Sequence, residues 1–130
     1  MFSEKEVAYL KSQKLGRIAT ASPAGQPDVA PVTYGFDGEN FTVLGFDLPS
    51  TLKYRNVKAG QARVAFVVDD LESVSPWVAR GLKVHGLCEI LETGGRPVMK
   101  IRPTHHWSWG IEAAGFVGGQ PARRSIRHGS

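Results

Sequence analysis

The segment Ser50-Thr51-Leu52-Lys53-Tyr54-Arg55-Asn56 sets two hydroxyls and then two cations at the start of a predicted helix. A helix N-terminus carries partial positive charge and unpaired N–H groups, so acidic residues are favoured there. Lys53 and Arg55 run against that preference. The arrangement suits an external anion held by helix amides, the Ser50 or Thr51 hydroxyl and the two cations. A surface helix with solvated basic residues is the alternative reading. A second candidate is aromatic: Trp77 precedes Arg80 by three residues, and Trp107-Ser108-Trp109-Gly110 closes the predicted fold. Tryptophans at strand ends line grooves for flat ligands or pack a core. Together the two features describe a pocket for something flat that carries a phosphate.

The common catalytic constellations are missing. The chain has no G-x-G-x-x-G, no G-x-x-x-x-G-K-[ST] and no G-x-S-x-G, so dinucleotide, P-loop and nucleophile-elbow sites lack support. Of His85, His105, His106 and His128, the adjacent pair would face opposite sides of an extended segment, and no third ligand is apparent. No metal site is assigned. Asp69-Asp70 reads as a solvated turn at a strand end. The single cysteine, Cys88, excludes an intrachain disulfide and reads as a plain buried thiol in a reducing compartment.

The elements that must position these residues alternate with period two. Ser3 and Glu6 have capping-box spacing, predicting a helix from Glu4 to Gln13 with Val7 and Leu10 on one face. Strands are predicted from Gly16 to Ala21 and Asp28 to Phe36, joined by a Pro/Gly turn, with Pro31 marking an edge, a bulge or a ligand-facing stretch. Asp37-Gly38-Glu39-Asn40 turns into Phe41–Phe46. A second helix, Ser50 to Lys58, ends at Gly60. Strands follow at Arg63–Asp69, Trp77–Glu92, Val98–Arg102 and Trp107–Ile111. Strands without intervening helices exclude a doubly wound parallel sheet and predict a mainly β fold, a closed or nearly closed antiparallel barrel with short helices.

The 130 residues, 42% hydrophobic and 22% charged, suit one domain. The expected division is a barrel domain over 1–117 and a mobile Gly/Pro/Arg/Ser tail over 118–130. Three of the 16 Lys and Arg residues lie in the last fourteen positions, which hold no acid, leaving 13 basic against 12 acidic residues elsewhere. A body so near neutrality is a poor binder of phosphate backbones, so no nucleic-acid partner is expected. No apolar run is long enough for a membrane-spanning helix and no signal sequence is evident, so a cytoplasmic protein without a membrane partner is expected.

The order of the pieces resembles the pyridoxamine 5′-phosphate oxidase-like superfamily, in particular its small members that use the deazaflavin coenzyme F420. The matching pieces are Gly16-Arg17-Ile18-Ala19-Thr20, Pro31-Val32-Thr33-Tyr34-Gly35-Phe36-Asp37, Lys53-Tyr54-Arg55-Asn56-Val57, Arg63-Val64-Ala65-Phe66-Val67-Val68-Asp69, Ile101-Arg102-Pro103 and Ser108-Trp109-Gly110-Ile111. The resemblance implies a split β-barrel homodimer with cofactor sites at the subunit interface. It implies that Lys53, Arg55 and Asn56 hold the coenzyme's phosphate-bearing tail and that Pro31-Val32-Thr33 lies against its ring system. Trp77, Arg80 and Trp109 would complete the site from the partner subunit.

The implied activity is that of an F420-dependent reductase, in which a hydride passes to an unsaturated bond of a small organic substrate. Some members of the group reduce polycyclic natural-product intermediates, including one of tetracycline assembly. The cofactor carries the hard chemistry, so catalytic side chains stay unassigned, with water and Tyr34 both open as proton donors. An FMN-dependent oxidase or reductase of the same fold, and a non-catalytic flavin- or haem-binding protein, are the alternatives.

Overall fold

The computed structural model describes residues 1–112, 116–117, 120–121 and 123–129. Helix α1 (Glu4–Ser12) precedes strands β1 (Leu15–Ala21), β2 (Pro27–Phe36) and β3 (Phe41–Val43). A 3₁₀ turn (Leu48–Ser50) and helix α2 (Leu52–Lys58) follow, then β4 (Arg63–Val74), β5 (Trp77–Thr93) and β6 (Arg96–Trp109). Beyond β6 lie β7 (Phe116–Val117), β8 (Gln120–Pro121) and β9 (Arg123–Arg127). The sheet runs β3-β2-β1-β4-β5-β6-β9, and a further β3–β6 pairing closes the first six strands into an antiparallel barrel.

Long β6 makes that closure possible. Its first half, Met99–Ile101, pairs with β3, and its second half, His105–Trp109, pairs with β9 on the same edge. Two strands are predicted here, but the chain forms one, with Thr104 as an extra residue where the β5 register shifts between His85 and Gly86. Pro103 sits beside that bulge, where a proline is tolerated because the ladder is already interrupted. Pro31, by contrast, lies on β2 where only β1 pairs with it, so the edge reading holds.

Period-two patterning fills the barrel. Ile18, Val32, Phe41, Phe66, Val68, Leu82, Val84, Met99 and Ile101 point inward, while Tyr9 and Leu10 of α1 and Tyr54 and Val57 of α2 pack against them. The capping box at Ser3 and Glu6 forms as the spacing predicts. Asp69 and Asp70 lie within β4, not at a turn. Residues 123–127, expected in a mobile tail, form β9; residues 118–119, 122 and 130 of that expectation lie outside the described residues.

Gly16 lies where the wall meets this core. A Cβ built there would stand 2.3 Å from Cζ of Phe66, itself fully buried. Gly16→Ala should therefore destabilise the fold by about 1–3 kcal/mol through overpacking, read as a lower urea midpoint. An unchanged midpoint would mean that the Phe66 ring yields freely.

Candidate functional site

Strand register lays out the barrel's outer wall in rows. One row is Val29, Ala19, Ala65, His85, His105 and Arg127, each opposite the next across β2, β1, β4, β5, β6 and β9. The neighbouring row is Pro31, Arg17, Val67, Lys83, Trp107 and Ser125. Small side chains at Ala19, Ala21 and Ala65 leave a shallow groove of about 470 Å³, rimmed by Arg63, His85, Leu87 and Thr104. Beyond it, Trp107 stacks on His105 at 4.2 Å between ring centroids, and Lys83 sits over its ring.

Pro31 and Thr33 face this outer wall, but Val32 is buried in the core and offers a ligand only its backbone. Helix α2 is shorter than predicted. The 3₁₀ turn breaks the run and Thr51 becomes the N-cap, its Oγ1 accepting from the Tyr54 amide and donating to the Leu48 carbonyl. Ser50 donates to the Asp47 carbonyl. Both hydroxyls thus serve the local backbone. Arg55 falls in the last turn, where a cation agrees with the dipole, so only Lys53 runs against it. Neither cation has a carboxylate partner among the described residues. Asn56 is buried, and its Nδ2 donates to Thr20 Oγ1 at 3.0 Å, holding α2 against the inward face of β1, behind the Ala19 and Ala21 that line the groove.

The second set of predicted residues does not gather beside α2. Arg80 makes a two-pronged contact with Asp70, Nε at 2.8 Å and a terminal nitrogen at 3.1 Å, and Tyr9 donates to the same carboxylate. Arg80 holds the Asp70 carboxyl below its ordinary range. Trp109 lies over Gly81, where an added Cβ would stand 2.5 Å from its ring. Trp77 is 59% exposed at the start of β5. Tyr34 donates to the Leu10 carbonyl at 2.6 Å, and burial pushes its hydroxyl up to about 12, which commits it to the core. Burial likewise pushes the Cys88 thiol up to about 12, an inert thiol as expected.

Sequence reasoning missed a polar cluster inside the fold. Glu6 is completely buried. Its Oε1 accepts from Ser3 N at 2.9 Å and His106 Nε2 at 3.0 Å, and its Oε2 accepts from Ser108 Oγ at 2.5 Å. Because a carboxylate only accepts, His106 Nε2 carries a proton, and its Nδ1 meets His128 Nε2 at 2.6 Å. Arg124 Nε stands 3.7 Å from Oε2. The cluster joins α1, β6 and β9. Two signals were present: Glu6 shares a helix face with Leu10, and His106 and Ser108 share a strand face.

A family profile described as pyridoxamine 5′-phosphate oxidase matches residues 2–109. The 5a,11a-dehydrotetracycline/5a,11a-dehydrooxytetracycline reductase of Streptomyces rimosus is 40% identical over 121 residues, covering 85% of this chain and 84% of that protein. Among solved structures, an F420 reductase is 27% identical with a TM-score of 0.59, covering 72% of this chain and 88% of that one. A conserved hypothetical protein from Mycobacterium tuberculosis shares the fold with a TM-score of 0.69 at 22% identity, covering 91% and 94%. Among the described residues, no helix is long and apolar enough to cross a membrane.

The buried cluster makes the fold sensitive to acid. Burial pushes the Glu6 carboxyl up, but hydrogen bonds from His106, Ser108 and the Ser3 amide outweigh it and hold the group at about 2. Burial holds His128 down at about 4, with the N-terminal ammonium and His106 acting in the same direction. An acid ionised more readily in the folded chain stabilises it above the ordinary value of 4.5, and that stabilisation drains away as pH falls toward 2. A histidine kept neutral also costs stability on acidification, between 6.5 and about 4, because the unfolded chain takes the proton first. Stability should thus decline in two limbs. His128→Ala should remove the upper limb. Glu6→Gln should flatten the lower one and cost about 2–3 kcal/mol at neutral pH, the scale of a hydrogen bond to a charged group. Urea unfolding across this pH range checks both; an unaltered acid limb in Glu6→Gln would show that the carboxylate is not what the fold protects.

Proposed function

This chain belongs to the pyridoxamine 5′-phosphate oxidase family, and from that premise we propose that it is a reductase using the deazaflavin coenzyme F420. Its substrate is a small organic compound with an unsaturated bond, a fused-ring intermediate of the tetracycline type. The observation that carries the reading is the alanine-floored groove of the outer wall, with α2 held behind its β1 strand by the Asn56–Thr20 hydrogen bond. The Streptomyces rimosus relative, named for such a reduction, supports the substrate class.

The residues fit such a coenzyme. A floor of alanines lets the sheet approach a flat ring closely, and about 470 Å³ falls within the ~300–1,000 Å³ of typical cofactor pockets. Lys53 and Arg55, without carboxylate partners among the described residues, would hold the phosphate-bearing tail, and Asn56 fixes the helix that carries them. Pro31 and Thr33 extend the wall toward β2. The reduced deazaflavin, when bound, supplies a hydride for an electron-poor double bond. The chain's own part is to orient the reactants and exclude water, which requires no activated nucleophile. A second copy of the chain would complete the site. Trp77 and Val74, exposed together at the β4–β5 hairpin, are among the apolar side chains offered to it.

Titrating the protein with F420 and separately with FMN, followed by fluorescence, tests the cofactor. F420 should bind, and Lys53→Ala should weaken it by about 1.5–3 kcal/mol, roughly ten- to a hundredfold in Kd. Preference for FMN would replace the cofactor assignment, and binding of neither would remove the enzyme reading. Sedimentation should give about 28 kDa, twice the 14.1 kDa chain. A monomer that binds F420 would contradict the shared site.

A further inference from the structure

Building on that reductase reading, we propose that the outward face of β5, β6 and β9 recognises the substrate, and that it takes a fused-ring compound bearing acidic enol or phenol oxygens. Trp107 is its centre. The His105 ring stacks on it with 26° between planes, the His85 ring meets it edge-on at 4.7 Å, and Lys83 Nζ lies 4.6 Å from its centroid. A hollow of about 280 Å³ opens between Lys83, Trp107, Trp109, Arg123 and Ser125.

Strand register explains the composition. On β9, Arg123, Ser125 and Arg127 stand opposite Trp109, Trp107 and His105. The alternate residues turn the other way, Arg124 toward Glu6 and His128 onto His106. The buried cluster thus fixes the strand that brings two arginines to the aromatic face. The nearest carboxylate in these rows, Asp69, lies opposite Gly81 and is already paired with Arg17 at 2.7 Å. Flat indole and imidazole surfaces beside cations that have no carboxylate partner among the described residues select a planar anion: stacking holds the rings and the cations hold the oxyanions. His85 belongs to both places, lining the alanine-floored groove and touching Trp107. A ring system seated on Trp107 is therefore one register row from that groove.

Tetracycline, a fused-ring enol with its own fluorescence, is the probe, added to the full chain with and without F420. It should bind, and Trp107→Ala and Arg123→Gln should each weaken it at least about tenfold, the scale of one stacking or charged contact. F420 affinity should stay within about twofold in both variants, the margin expected for a site they do not touch. Tetracycline binding without F420 binding would support this face and overturn the cofactor assignment alone. Four results would overturn the proposal: no tetracycline binding, unchanged binding in both variants, displacement by single-stranded DNA, or conversion of a dimer to monomer by Trp107→Ala.

Discussion

Thr104 adds one residue to β6 without a matching residue on β5, and the facing of every side chain beyond it changes. Before the bulge the inward residues of β6 are Met99, Ile101 and Pro103; after it they are His106 and Ser108. β5 keeps Leu82, Val84, Gly86 and Cys88 inward throughout. In a strand of strict alternation, one residue of slip sends a whole set of side chains to the other face. If Thr104 continued the regular alternation in place of the bulge, both tryptophans and His105 would point into a core already filled by Phe66, Val84 and Leu82, and His106 would point to solvent. The bulge is anchored, since Thr104 Oγ1 donates to the His85 carbonyl and the His128 amide donates to the Thr104 carbonyl.

The inward histidine and serine then need a partner, and Glu6 meets the need. A buried carboxylate is costly unless its lone pairs are filled and opposite charge is near. Here three donors reach it, with a guanidinium 3.7 Å away. Replacing one donor by an apolar group would leave a buried charge less satisfied, so the cluster acts as a unit across elements about a hundred residues apart in sequence. It joins the first helix to the last described strand. Phe2 adds an apolar side to the same joint, stacked 4.3 Å from the His106 ring.

Elements that announce themselves locally were legible in the sequence: the Ser3–Glu6 capping box, the alternating strands, and the hairpin at Asp37–Asn40, where Asp37 Oδ1 accepts from the amides of Glu39 and Asn40. The run of strands without intervening helices also pointed to a closed or nearly closed barrel, and the resemblance specified its split form. What escaped depends on contacts distant in the chain. Glu6 reads as a cap residue, and it is one, but nothing local says that His106 and Ser108 will arrive beside it. The tail's Gly- and Arg-rich composition reads as mobile, yet β9 forms because β6 still has an unpaired edge past β3, with buried Glu6 facing Arg124 and buried His106 meeting His128. The Lys53–Asn56 segment was located by composition and dipole, but the break at Thr51 and the turn of Asn56 into the wall are tertiary outcomes.

A six-stranded barrel this small leaves no room for a ligand within. Phe41 and Phe66 meet at 5.0 Å across its middle, and Tyr34 and Phe36 pack against Phe41. Small barrels fill their interiors with side chains, so chemistry on this fold belongs to the outer wall, where alternation delivers every second residue. Along one row the wall changes from Val29, Ala19 and Ala65 to His85, His105 and Arg127. Flat and apolar on one side, aromatic and basic on the other, it brings two unlike surfaces together at His85. That meeting depends on the bulge at Thr104, since with Thr104 in regular alternation the row beyond β5 would present the opposite face of β6.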